Sequence, residues 1–250
     1  MFATELGASG TGIAMLLLGL QASTAQAGPP YETDDPEPVD FGHWEFYLAT
    51  QPRLDHAGLN STAPHIEINC GALPNLQLHS LLPMIYNRPS HGPANWGLGD
   101  MEVGAKLRFV QETSHRPMIG IFPFLELPTG NASKGLGTGH TRAYFPLWLQ
   151  KSFGPWSSYG GGGYWLNPGA GNRNWWFAGW QVQRRLSGSA SLGAEIVHAT
   201  ADRSDGRQDT RLSLGLVVNF GELHHLLISA GRSVVGDTRA QGYLAYQLTL

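Results

Sequence analysis

Between Asp100 and Gln111 the chain alternates strictly: Met101, Val103, Ala105, Leu107 and Phe109 are apolar, whereas Asp100, Glu102, Gly104, Lys106 and Arg108 are not. A period of two places the two sets on opposite faces of a β-strand, where a helix would mix them. The same alternation sets Trp44, Phe46 and Leu48 against His43, Glu45 and Tyr47, and Ile66, Ile68 and Cys70 against His65, Glu67 and Asn69. Near the C-terminus Leu212, Leu214, Leu216 and Val218 alternate with Arg211, Ser213, Gly215 and Asn219, and Leu244, Tyr246, Leu248 and Leu250 share a face.

Such runs number about twelve, at 42–52, 62–71, 75–87, 99–112, 117–128, 141–153, 156–166, 174–186, 189–200, 209–220, 224–233 and 240–250. Each is close to the ~9–11 residues that a tilted strand needs to cross a bilayer. Short connections (Ala72–Pro74, Thr113–Arg116, Gly154–Pro155, Ser187–Gly188, Gly221–Leu223) take turns with longer ones (Pro52–Ser61, Arg88–Leu98, Thr129–His140, Asn167–Arg173, Ala201–Gln208, Ser233–Arg239). That sorting, with an even strand count, predicts an all-β fold: an antiparallel transmembrane outer-membrane β-barrel with short periplasmic turns and longer outer loops. A secreted β-sandwich also alternates, but its strands average about five or six residues and its turns do not sort by length. Trp44, Trp96, Trp148, Trp156, Trp165, Trp175 and Trp176 stand near strand ends and read as girdles at the membrane interfaces.

Composition sharpens this picture. Of 250 residues only 14% are charged, against roughly 25% in ordinary soluble domains. Glycine (33) and proline (16) fill the gap, as turns and curved strands require. A net charge of -3 offers no basic footprint for nucleic acid, and one cysteine excludes an internal disulfide framework or a thiolate metal cluster.

The chain divides into three parts. Residues 1–27 read as a cleaved signal peptide, with an apolar run from Gly12 to Leu20 and small residues at Ala25-Gln26-Ala27. Residues 28–41 form a proline-rich acidic segment, and 42–250 the barrel. The stretch Gly28–Asp40 holds four prolines and five acids, Asp34, Asp35 and Glu37 among them, and cannot be a strand interior. Three readings stand: a plug folded into the lumen, a dock for a periplasmic partner, or a solvated leader.

Several stretches resemble a known family. These are TDDPEPVDFGHWEFYLATQ (Thr33–Gln51), EINCGALPNLQLH (Glu67–His79), GLGDMEVGAKLRFVQE (Gly97–Glu112), GIFPFLELPTG (Gly120–Gly130), PLWLQKSFGPW (Pro146–Trp156), YGGGGYWLNPGAGNRNWWFAGW (Tyr159–Trp180) and the closing AYQLTL. They are similar to the bacterial outer-membrane transporter family named for the MetA pathway of phenol degradation, across nearly the whole mature chain. The resemblance implies an outer-membrane barrel that passes small organic molecules.

With Ile, Leu and Val facing lipid, Glu45, Glu67, Glu102, Glu126 and Glu195 fall inward, together with Lys106, Arg108, Arg185 and Arg211. Mixed charge in a lumen either pairs to compensate buried ions or lines a permeation path. Tyr144, Trp148 and Trp176 would give that path a surface for small apolar or aromatic solutes. The expected function is passive diffusion of small organic, including aromatic, molecules through a charged lumen. The alternative is a non-conducting structural or adhesion barrel. The expected surroundings are outer-membrane lipid and small solutes, in the bacterial outer membrane. Enzyme, cofactor and metal readings are not favoured. No His-x-Ser pair shares a strand face, and His65 with Glu67, or His224 with His225, supplies too few ligands for a metal. Four consecutive glycines, Gly160–Gly163, lack the Lys-Ser/Thr of a phosphate loop; they read as sites of curvature or close approach of a plug.

Overall fold

The computed structural model describes residues 28–250, so the expected signal peptide at 1–27 lies outside the described residues. Twelve strands follow one another: β1 (Trp44–Leu54), β2 (Gly58–Leu73), β3 (Leu76–Pro89), β4 in two pieces (Asn95–Leu98 and Met101–Val110), β5 in two pieces (Met118–Ile121 and Phe124–Leu127), β6 (Arg142–Phe153), β7 (Trp156–Leu166), β8 (Trp175–Arg185), β9 (Ala190–Ala199), β10 (Asp209–Phe220), β11 (His224–Val235) and β12 (Ala240–Thr249). Each pairs antiparallel with its neighbours, and β12 pairs with β1 from Glu45↔Thr249 to Leu54↔Ala240. Closure leaves no free edge, which is what allows a sheet to stand in lipid.

The two interruptions have local causes. β5 breaks at Phe122-Pro123, where proline cannot donate to the ladder, yet the Pro123 carbonyl still accepts from the Ala105 amide at 3.1 Å. β4 breaks at Gly99-Asp100, and both halves pair with β3. The freed Asp100 carboxylate accepts hydrogen bonds from the amides of Gly130 (2.9 Å) and Thr138 (2.6 Å) and from the Thr138 hydroxyl (2.7 Å). One side chain thereby ties down the long 128–141 connection. Charge-assisted hydrogen bonds contribute about 1.5–3 kcal/mol each. Asp100→Ala is therefore expected to raise the rate of tryptic cleavage after Lys134 at least about tenfold, read by limited proteolysis of the folded barrel.

Strand ends differ from the sequence expectation where a turn is tighter than composition suggests. β1 and β2 run through Pro52 and Ser61 and close at 55–57, because the Asp55 side chain accepts from the amides of Ala57 (2.7 Å) and Gly58 (3.1 Å). The remaining connections of that set, 90–94, 128–141, 167–174, 200–208 and the shorter 236–239, gather at one end. The short turns 74–75, 154–155, 186–189 and 221–223 sit at the other, as does 111–117, longer than the four residues expected, together with the start of β1 and the C-terminus, where Trp44 and Leu250 exchange backbone hydrogen bonds of 2.8 Å.

The outer face is apolar from strand to strand. Leu48, Ile66, Leu78, Leu107, Leu147, Ile196, Leu214 and Leu244 all point outward and are exposed. An apolar belt of this extent has no place in water and fits the hydrocarbon band around a barrel. The tryptophans divide. Trp44, Trp96, Trp156 and Trp176 face outward, whereas Trp148, Trp165 and Trp175 turn into the lumen, which corrects their reading as girdle residues. Trp176, expected to face solute, packs its ring on Tyr164 on the outside at 4.7 Å.

Candidate functional site

Residues 28–41 enter the barrel at the end that holds the start of β1 and the C-terminus and thread its interior. Thr33 and Asp35 have no exposed surface, and Tyr31 is nearly as deeply buried. Inward glycines make the seat. A Cβ on Gly179 would lie 2.2 Å from the Thr33 hydroxyl, one on Gly193 2.4 Å from the Tyr31 hydroxyl, and one on Gly215 2.6 Å from the Tyr31 ring. Any larger side chain on those strands would occupy the segment's place. Gly160–Gly163, by contrast, abut the backbone and aromatic rings of β6 and β8, including Tyr144 and Trp180, rather than this segment.

Most hydrogen bonds of the segment go to wall side chains. The Tyr31 hydroxyl donates to the Gly215 carbonyl (3.0 Å), and burial pushes its phenol up to about 12. Glu32 accepts from Arg211 through Nε (3.0 Å) and Nη2 (2.8 Å), from Arg53 (3.1 Å) and from Gln241 (2.7 Å). Burial would raise the Glu32 carboxyl, but the flanking Arg53 and Arg211 guanidiniums and these hydrogen bonds hold it below its ordinary range. The Thr33 amide donates to Glu195 at 2.5 Å. Lys106 pairs with Asp34 (2.9 Å) and Asp35 (3.7 Å), and Glu37 faces Arg108 (3.8 Å) and accepts from Gln150 (3.2 Å).

The expected lumen residues thus fall into two groups. Glu195, Lys106, Arg108 and Arg211 hold the segment, as do Asp34, Asp35 and Glu37 from the segment's side. The rest pair with the wall itself: Glu45 accepts from Tyr47 (2.7 Å), Glu67 from Asn69 (2.8 Å), Glu126 forms an ion pair with Arg142, and His79 lies 3.9 Å from Glu102. Arg185 is the exception. It shares the inward parity of Gln181 and Gln183 but is exposed at the last residue of β8, on the rim beside the 186–189 turn.

Above the segment, toward the long connections, the lumen opens into a vestibule of about 770 Å³. Its two sides differ in kind. On β5–β8 stands an aromatic wall: Tyr144 stacks on Trp165 (4.8 Å), Trp165 on Trp175 (4.8 Å, 7° between planes), and Phe124 sets its edge to both Tyr144 and Trp165. Arg142 lies over Trp165 and Trp175 at 5.4 and 5.6 Å, within cation–π range, and keeps Glu126 as its ion partner. The opposite side carries Arg53, Arg211, Asp209 and the Glu32 carboxylate of the segment. A narrower polar cleft of about 210 Å³ continues beside the segment, sharing Glu32, Gln51 and Arg53 with the vestibule and running on past Asn60, Thr62 and Tyr243.

Sequence reasoning missed Glu32, Arg53, Arg142, Asp209 and most of the aromatic wall. For Trp175 a signal exists: it shares parity with Gln181 and Gln183, which are too polar to face lipid.

No protein-family model and no curated protein matches the sequence. Among solved structures, the fold is similar to the COG4313 outer membrane channel from Pseudomonas putida F1, with a TM-score of 0.73 at 16% identity over 90% of this chain and 100% of that one. It is also similar to the KdgM porin in complex with disordered oligogalacturonate (TM-score 0.55, 10% identity, 82% of this chain and 98% of that one). The NanC porin is similar to nearly the same extent (TM-score 0.54, 9% identity, 81% and 97%). At these identities the likeness establishes the fold, that of an outer-membrane β-barrel.

Proposed function

We propose that the protein is an outer-membrane channel through which small organic molecules, aromatic ones among them, diffuse passively. The observation that carries this reading is the vestibule: an aromatic wall faced by a charged one across an open space of about 770 Å³. Such a surface takes up a flat apolar ring on one side while a polar substituent meets Arg53 or Arg211 on the other. In this reading 1–27 is a signal peptide, the end holding the start of β1 and the C-terminus faces the periplasm, and residues 28–41 are a plug that narrows the path to the polar cleft. The resemblance to the family named for the MetA pathway of phenol degradation supports an aromatic solute, and the COG4313 channel and the KdgM and NanC porins share the barrel on which such channels are built.

Swelling of liposomes containing the purified protein, with matched aromatic and purely polar solutes, tests this. Uptake of both, with aromatic solutes also blocking ion current, is expected; a folded barrel with neither uptake nor current overturns the reading in favour of a structural or adhesion barrel. Trp165→Ala removes the middle of the stack, where an aromatic pair contributes about 0.5–1.5 kcal/mol, so the half-blocking concentration of an aromatic solute is expected to rise about three- to tenfold.

A further inference from the structure

The middle of the lumen segment carries a buried carboxylate whose partnering is incomplete. Asp35 has no exposed surface; its Oδ1 accepts from the Glu37 amide at 2.5 Å, but its Oδ2 has no hydrogen-bond donor and only the Lys106 ammonium at 3.7 Å. Asp34, Asp35 and Glu37 crowd around Lys106 and Arg108, three carboxylates against two cations. Leaving a buried charge short of a partner is costly, and such a site calls for one more donor.

The backbone beside it is Gly28. A substituent at the Cβ position of Gly28 would stand 3.5 Å from Asp35 Oδ2 and 3.7 Å from Asp34 Oδ1. Gly28 is itself buried, and its carbonyl faces the Tyr159 hydroxyl and the Tyr31 amide, each at 3.5 Å. It also follows Ala25-Gln26-Ala27, the small residues of a signal-peptide cleavage site. In a chain that starts at Gly28 no preceding peptide restrains rotation about its Cα–C bond. That rotation carries the nitrogen into the Cβ position, since the two are equivalent tetrahedral substituents.

We propose that cleavage of the Ala27–Gly28 bond creates the missing partner: the new α-ammonium of Gly28 pairs with Asp35 and Asp34 inside the lumen and locks the segment in place. Hydrolysis adds water across the peptide bond, leaving the oxygen on the Ala27 carboxylate and the protons on the Gly28 nitrogen, which is an ammonium at neutral pH. The step thus balances with water as the only co-reactant and a signal peptidase as catalyst. The cluster of Asp34, Asp35 and Glu37 with Lys106 and Arg108 then holds three charges of each sign. Burial drives the Asp35 carboxyl well above its ordinary range, an effect Lys106 only partly offsets, and an ammonium at this distance relieves it. In a chain left uncut the same nitrogen is an amide, with no charge to offer. The lock therefore forms only after export. It rests on the proposed export in one respect, the position of the cut, and the first measurement below tests that separately from the pairing.

The intact mass of protein purified from outer membranes identifies the first residue, expected to be Gly28; any other first residue overturns the proposal, whatever the channel conducts. Trace acetylation with acetic anhydride, read on the N-terminal peptide by mass spectrometry so that lysine products are separated, then reads the pairing. An opposite charge within a few ångströms raises an amine pKa by a unit or more, so the folded barrel is expected to label at least about tenfold more slowly than the urea-unfolded chain. The rate is expected to climb with pH about a midpoint at least about one unit above the ordinary 7.7–8.0 of an α-amine. Asp35→Asn should restore most of the lost rate, whereas Glu37→Gln, which leaves the Gly28 contacts intact, should not. Equal rates in the folded and unfolded chains, an ordinary midpoint, or equal acceleration by the two variants overturns it. The pH profile needs only the wild-type chain, so the test survives a variant that fails to insert.

Discussion

Deletion of residues 28–39, with the leader joined directly to Asp40, is expected to raise single-channel conductance several-fold and to move ion selectivity toward anions. The segment fills the lumen between the vestibule and the terminal end, and what remains beside it is a cleft of about 210 Å³. Removing it lets water fill that space, so Lys106 and Arg211, which it now neutralises, become hydrated rather than stranded. The same deletion takes away Glu32, Asp34, Asp35 and Glu37 while Arg53, Lys106, Arg108 and Arg211 stay on the wall. The narrow part thereby loses four carboxylates and no cation while Glu45, Glu67 and Glu195 stay on the wall, so its fixed charge becomes more positive, which favours anions. The strands lose no ladder hydrogen bonds, so the variant should keep the heat-dependent gel mobility of a folded barrel. Planar-bilayer recording reads both effects. Unchanged conductance in a folded variant would show that the path does not run where the segment lies.

Most of the barrel was legible because its signal is periodic and long. In β4, Met101, Val103, Ala105, Leu107 and Phe109 fix the outward parity with no tertiary information, and that parity alone places Lys106 and Arg108 in the lumen. Where the alternation fails, so does the reading. β7 contains Gly160–Gly163, which carry no side chains to set a face, and the inward turn of Trp165 could be read only by carrying the parity of Tyr159 across four blank positions. The closing of β1 and β2 at 55–57 rests on the Asp55 side chain bonding two amides, a local competition that hydrophobic pattern does not encode.

The course of residues 28–41 is harder still to read, for a different reason. The segment has no repeating pattern of its own, and its position is written into the wall as absences: Gly179, Gly193 and Gly215 on three adjacent strands. In sequence each is one more glycine among 33; strand pairing sets Gly193 beside Gly215, and only the course of the segment, with Tyr31 on that pair and Thr33 on Gly179, shows that the three act together.

The second large effect concerns the outer face. Leu214 stands at the middle of β10, 66% exposed, opposite Ala194 of β9 and Ala230 of β11. If that exposure is to hydrocarbon, Leu214→Arg places a guanidinium near the bilayer midplane, where the cost is about 2–4 kcal/mol. Leu186→Arg is the control. Leu186 is nearly as exposed, at 56%, but it lies in the 186–189 turn, where the same substitution should cost no more than about 1 kcal/mol. Urea titrations of folding into lipid vesicles separate the two: a barrel facing lipid gives a depth-dependent difference of about 2 kcal/mol or more. Equal and small costs at both positions would mean that Leu214 faces water, and with it the apolar belt formed by Leu48, Ile66, Leu107, Leu147, Ile196 and Leu244 on the other strands. That outcome would remove the membrane from the account, because no water-soluble barrel could keep such a belt uncovered without a protein partner to bury it.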